Sequence, residues 1–296
     1  MPCTVLPITA SRTLHPLCQI DTLPTLVEKT CFSQSFFRKS PYCQSLNFFL
    51  KGRVQQIEDK KRLNILITSG PTRGYIDDVR YISNKSSGRL GAAIATEALK
   101  RGADVTMAYG TGSIIPDITC LGKETGNRLT LIEIETLQDL SKLFREGLQG
   151  KVFDAVVHAM AVLDYIPEQP VEGKVSSNSN EITVRFIKTP KIIKLIKELW
   201  PRSLLISFKL EAGIPHDELM KRAYASLLEN KADFVVANDQ HEILGGKHPG
   251  YIINSHQELV ATCHTKQDIA ERLIDIVYNP TKNFKVRLTN DETFNK

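Results

Sequence analysis

TSGPTRGYIDDVRYISNKSSGRLG, residues 68–91, joins an apolar segment of strand length to a stretch that reads as a helix. Asn64-Ile65-Leu66-Ile67 precedes it, and Gly88 to Arg101 carries small residues on one helical face. The sequence between them predicts a long polar loop with a glycine turn and a buried Asp-Asp-Val-Arg. In an open α/β sheet such a loop is where phosphates and small ligands dock. Helix N-terminal amides without partners point there into the crevice at the carboxyl ends of the strands.

Outward from this loop the chain alternates. Strand-like runs lie at 63–69, 103–109, 129–134, 153–160, 182–187, 204–208 and 234–237. Helical patterns lie at 88–101, 137–148, 191–199, 217–229 and 266–278. Strands that look buried on both faces, alternating with helices, predict a mainly parallel, Rossmann-like α/β sheet with helices on both sides. Tyr251–Asn254 and Glu258–Cys263 predict a terminal β-hairpin. With 296 residues, 42% hydrophobic and 24% charged, the chain can bury a substantial core.

The net charge of +5 is spread along the chain and interleaved with acids. That favours anionic small ligands and not nucleic acid, which needs a concentrated basic face. No apolar run is long enough to span a bilayer, so a soluble, cytoplasmic protein is expected. Cys3, Cys18, Cys31, Cys43, Cys120 and Cys263 show no zinc spacing and read as reduced thiols.

Residues 1–62 differ in kind. Asp21 and Glu28 are the only acids before Glu58, and Ser and Thr are frequent. The composition suits an organellar transit peptide or a poorly ordered extension, and the extension is the expected reading. The folded ligand-binding domain is expected over 63–280, with a frayed tail at 281–296.

A GxGxxG fingerprint and a P-loop are both absent, which speaks against a nicotinamide-dependent oxidoreductase on this fold. Arg80, Asn84, Lys85, Ser86 and Ser87 instead supply cations, an amide and two hydroxyls just before a helix start. That chemistry suits a phosphate and a carboxylate, although a solvated loop capping the helix through Ser86 or Ser87 would look the same.

The 67–91 run closely resembles the signature of the phosphopantothenoylcysteine synthetase (phosphopantothenate–cysteine ligase) family. HAMAVLDY (158–165), EGKVSS (172–177), KTPKII (188–193), SFKLEA (207–212) and ADFVVAND (232–239) extend the resemblance in order over about 63–280. It looks like the stand-alone form, with no flavin expected. The resemblance implies a ligase that activates 4′-phosphopantothenate with CTP or ATP as an acyl-nucleotide and then joins it to cysteine. Mg²⁺ would accompany the triphosphate, and the assembly would be a homodimer.

Residue by residue, the resemblance implies that Asn84 holds the carboxylate and then the acyl carbonyl. Arg80 orders the loop or meets substrate, unless it pairs with Asp77 or Asp78. Lys174 neutralises charge on the α-phosphate from a mobile segment. Asp164, with His158, Ala159 and Met160, reaches the nucleotide; so do Pro190, Lys191, Ile192 and Ile193 at a helix start, and Phe208. Ser86, Ser87 and Gly88 face the substrate. The chain departs from the family at Gly74, where an acid is usual, and at Leu163, where a small residue is usual. The first loop resembles bacterial members, which usually take CTP, whereas SFKLE resembles the eukaryotic form, which usually takes ATP; CTP is the expected nucleotide. A nicotinamide-dependent oxidoreductase and a non-catalytic nucleotide-binding protein on the same fold are the alternatives.

Overall fold

The computed structural model describes residues 62–178 and 180–280, so the readings made for 1–61 and 281–296 lie outside the described residues. The opening loop is more structured than its polarity suggests. After β1 (Asn64–Ser69) the chain forms a small antiparallel hairpin, β2 (Arg73–Tyr75) with β3 (Tyr81–Ser83), before α1 (Arg89–Lys100). Then follow β4 (Asp104–Gly110), the short α2 (Lys123–Gly126), β5 (Leu129–Ile134) and α3 (Leu137–Lys142). The helix predicted over 137–148 is α for its first six residues and continues as a π turn, Leu143–Gly147.

β6 (Ala155–His158) precedes a second hairpin, β7 (Tyr165–Pro167) with β8 (Phe186–Lys188). The remaining elements are α4 (Ile192–Leu199), β9 (Leu204–Glu211), α5 (His216–Glu229), β10 (Phe234–Asp239), β11 (Gly250–Asn254), β12 (Leu259–Cys263) and α6 (Lys266–Tyr278). The strand expected at 182–187 is therefore corrected: only its end is extended, and it pairs with β7 outside the main sheet. Its alternating EITVRFIK pattern buries neither face, so it has no place inside a sheet covered on both sides.

The main sheet has the order β12-β11-β10-β9-β6-β1-β4-β5, with every pair from β10 to β5 parallel and the β11–β12 hairpin antiparallel at one edge. Alternation within the strands builds two cores. Ile65 and Ile67 join α1 and α6 on one face, whereas Leu66 joins α3, α4 and α5 on the other. All three are fully buried, each contributing roughly 1.5–3 kcal/mol relative to exposure. β5, an edge strand, is largely exposed. No helix among the described residues is long and apolar enough to cross a membrane.

From β1 the sheet grows through β4 to β5 in one direction, and from β6 through β9 to β10 in the other. The chain thus reverses direction between β1 and β6, the position where open α/β sheets leave a crevice at their carboxyl edge.

Candidate active site

A cleft of about 500 Å³ opens at this reversal, lined by the 84–91 segment, by Ala159, Met160 and Ala161 after β6, and by Phe208 and Leu210 of β9. Next to Ala159 the ends of β1 and β6 are joined by a buried hydrogen bond between Thr68 Oγ1 and His158 Nδ1, 2.7 Å. Burial pushes the His158 imidazole down to about 4, so it is neutral at physiological pH. Its side chain supports the strand ends, while the next two residues form the cleft wall.

Glycine decides how α1 meets the cleft. Gly88 is the N-cap in a left-handed conformation (φ 74°), and no side chain caps the helix, so neither Ser86 nor Ser87 plays that part. A Cβ on Gly91 would lie 2.2 Å from Ser69 Oγ, so only glycine lets the first turn of α1 rest against the end of β1. The first-turn amides of α1 therefore keep their anion-attracting character beside the cleft. By contrast, α3 and α6 each begin with a Thr-x-x-Asp capping box.

Asn84 is anchored across the crevice. Its amide nitrogen donates to the carbonyls of Ala161 (3.0 Å) and Val162 (3.2 Å). Two carbonyl acceptors fix the orientation of the amide and leave Oδ1 as its other functional atom. The nitrogen that the resemblance assigns to an acyl carbonyl is thus directed at the β6 loop. A ligand would have to share or replace one of those contacts. Thr72 reinforces the junction: its carbonyl accepts from Ser83 Oγ, and its hydroxyl accepts from Leu163 N–H.

Arg80 takes the ion-pair course. It binds the buried Asp77 carboxylate through Nε (3.0 Å) and Nη2 and donates to the Val175 carbonyl (2.9 Å). That guanidinium, aided by backbone N–H donors from Val79, Val175 and Arg80, holds Asp77 well below the usual carboxylate range. Asp78 accepts from Gly173 N–H (2.9 Å), so loops 76–80 and 171–175 are tied together and carry exposed Lys174 between them. Neither Arg80 nor Lys174 lines the cleft. Asp78 and Val79 are exposed, so of the expected buried Asp-Asp-Val-Arg only Asp77 is fully enclosed.

The structure therefore gathers Asn84, Ser86, Ser87, Gly88, Ala159, Met160 and Phe208 around one cleft and puts the other sequence candidates elsewhere. Asp164 is exposed and paired with Lys191 Nζ (2.6 Å) at the start of α4, beside Pro190. Ile192 is buried in the core, and Ile193 is partly buried against it, so only their backbone amides could serve a ligand. The two departures meet in space. A Cβ at Gly74 would lie 3.3 Å from Leu163 Cδ1 and 3.2 Å from Ile166 Cγ2, so Leu163 occupies room that a side chain at 74 would need. Sequence reasoning missed Arg89, His248 and Lys266, which also line the cleft. Arg89 was in plain view within SSGRLG, and the glycine-rich GGKHPG run before β11 was the available signal for His248.

Residues 60–280 match the family described as DNA/pantothenate metabolism flavoprotein C-terminal domain. The chain is 35% identical over 211 residues to a coenzyme A biosynthesis bifunctional protein from Thermococcus kodakarensis, covering 71% of this chain and 50% of that protein. Among solved structures it is similar to the DNA/pantothenate metabolism flavoprotein from Streptococcus pneumoniae, with 31% identity and a TM-score of 0.65, covering 73% of this chain and 98% of that one. The C-terminal domain of a coenzyme A biosynthesis bifunctional protein gives 26% identity and a TM-score of 0.57, covering 76% and 98%. The chain spans about half the length of the curated relatives it matches. A family match over most of the folded chain and a 31% identical structure covered almost end to end agree with the sheet order and the cleft: this chain belongs to the DNA/pantothenate metabolism flavoprotein C-terminal domain family.

Proposed function

We propose that this chain is a phosphopantothenate–cysteine ligase. The observation that carries the reading is Asn84, fixed by Ala161 and Val162 at the crevice between β1 and β6, beside the first turn of α1, which no side chain caps. In the first step a carboxylate oxygen of 4′-phosphopantothenate attacks the α-phosphorus of the nucleotide. A P–O bond forms and pyrophosphate leaves. In the second step the cysteine nitrogen attacks the acyl carbon, the nucleoside monophosphate leaves, and the new amide loses a proton to solvent. Asn84 orients the reacting carboxyl group, and the first-turn amides of α1, beside Ser86, Ser87 and Gly88, favour its negative charge.

The nucleotide would lie towards Ala159, Met160 and Phe208, reaching Asp164 and the start of α4, with Lys174 brought in by movement of its loop. CTP is the favoured nucleotide, on the resemblance of the first loop. Mg²⁺ would enter with the triphosphate. Among the described residues no three His, Cys, Asp or Glu side chains converge, so phosphates and water would supply most of its ligands.

A homodimer is part of the proposal. Val79, Tyr81, Val171, Tyr165, Phe186 and Ile187 are large apolar residues left exposed on the two hairpins and their loops, an unusual concentration for a monomer surface. A second copy docked there would bring the Arg80–Lys174 loops to the interface. Light scattering is expected to give twice the chain mass, and Phe186→Glu to give a single chain. A wild-type monomer at micromolar concentration would refute the dimer.

The activity is tested by supplying 4′-phosphopantothenate, cysteine, Mg²⁺ and either CTP or ATP, and measuring pyrophosphate. Release that depends on the acid is expected, faster with CTP. Absence of pyrophosphate with both nucleotides would overturn the ligase reading and leave a binding protein.

A further inference from the structure

One end of the cleft is used by none of the residues assigned above. Arg89, at the first position of α1, Lys266, at the first position of α6, and His248, on the loop before β11, all line it. The topology brings them together. α1 follows β1, and α6 follows β12, which runs parallel to β10; both helices therefore start at the carboxyl edge, and they pack against each other on one face. His248 N–H donates to the His264 carbonyl (2.8 Å), tying its loop to the start of α6.

The charges there are uncompensated. Elsewhere Arg73, Arg80, Arg101, Lys191, Lys197 and Arg222 each meet a carboxylate. Among the described residues, no carboxylate lies within ion-pair distance of Lys85, Arg89 or Lys266, although all three line the cleft. The nearby Asp268 carboxylate is turned back onto the backbone N–H groups of His264 and Thr265. Burial and the Arg89 charge push Lys266 down, and burial and the Lys266 charge push His248 down to about 4. His248 Nδ1 is buried without a hydrogen-bond partner. Like charges lining one cleft, with an orphaned ring nitrogen and a helix start that no side chain caps, form an environment that an anion would relieve.

We propose that Lys266, Arg89 and His248 form a phosphate subsite at this end of the cleft, taking a terminal phosphate of a bound substrate. This deepens the ligase reading and rests on it for the identity of the carriers, which are the phosphate of the phosphorylated acid and the terminal phosphate of the nucleotide.

The test measures KM for each substrate in the wild type, Lys266→Met, Lys266→Arg and Arg89→Gln. Lys266→Met is expected to raise KM for one substrate about 10- to 100-fold, with kcat little changed and with Lys266→Arg restoring most of the affinity. If the acid is the carrier, the unphosphorylated acid reacts equally poorly with wild type and variant; if the nucleotide is, only its KM moves. An unchanged KM for both substrates overturns the subsite. Titration of the full chain with inorganic phosphate reads the subsite even if no ligation is found. Weakening in Lys266→Met and Arg89→Gln, with unchanged thermal unfolding, supports it, and equal affinity in all variants overturns it.

Discussion

Replacing Asn84 with Asp is expected to lower kcat about 10²–10³-fold, the effect of removing one oriented donor from a reacting centre. The substitution is nearly isosteric, so the change is chemical. The amide nitrogen that now donates to Ala161 and Val162 becomes an acceptor facing two acceptors, and a negative charge is added where the proposed ligase reading puts the substrate carboxylate. Both effects disfavour the reactive geometry. The second step should suffer more than the first, because the acyl carbonyl then lacks an oriented donor. Acyl-nucleotide should therefore accumulate, and rapid quench with mass spectrometry would detect it. Asn84→Ala removes the donor without adding charge and separates the two effects. Unchanged turnover in Asn84→Asp would remove this residue from the mechanism.

The second large effect is on stability and lies at Gly110, the last residue of β4. A Cβ there would fall 1.9 Å from the Pro71 carbonyl oxygen and 3.0 Å from its carbon. The obstacle is backbone, so no rotamer change relieves it. Pro71 also pairs with Ala161, and Thr72 N–H donates to the same Ala161 carbonyl that Asn84 binds. Gly110→Ala should therefore cost about 3 kcal/mol and lower Tm by roughly 6–12 °C in a domain of this size. It should also weaken ligand binding in the cleft. Gly126→Ala is the control, since its Cβ would meet only Ile118 Cδ1 at an ordinary 3.5 Å. Equal thermal unfolding of Gly110→Ala and wild type would show that the 70–72 loop yields freely.

Both effects depend on loops that the sequence placed well and shaped poorly. Runs such as Ile65-Leu66-Ile67 and Phe234-Val235-Val236-Ala237 announce strands because each residue's burial is decided by its own backbone alternation between two covered faces. The loop between β1 and α1 read as simply polar, yet it contains a β-hairpin. Its pairing of Gly74 with Ile82 is a backbone matter that polarity does not report. The same holds for β7 and β8, whose side chains are mostly exposed.

The candidate site divides along the same line. Asn84, Ser86, Ser87 and Gly88 were legible because they fall within five residues of one another and precede a helix. The two readings of Arg80 could not be separated from sequence, since Asp77, Asp78 and a ligand are all within its reach. In the fold Arg80 pairs with Asp77, which is enclosed and supplied with N–H groups from two loops.

The sequence by itself determined the alternating architecture, the loop that lines the cleft, and the family resemblance, because periodicity and contiguous motifs are local properties of the chain. Only the tertiary structure decided which distant residues share the cleft. Asn84 meets Ala161 because β1 and β6 are neighbours at the point where the sheet changes direction. Arg89 and Lys266 line one cleft because α1 and α6 start at the same edge of the sheet and pack on the same face. Strand order sets those meetings, and strand order is fixed by the packing of the whole sheet, which no local stretch of sequence records.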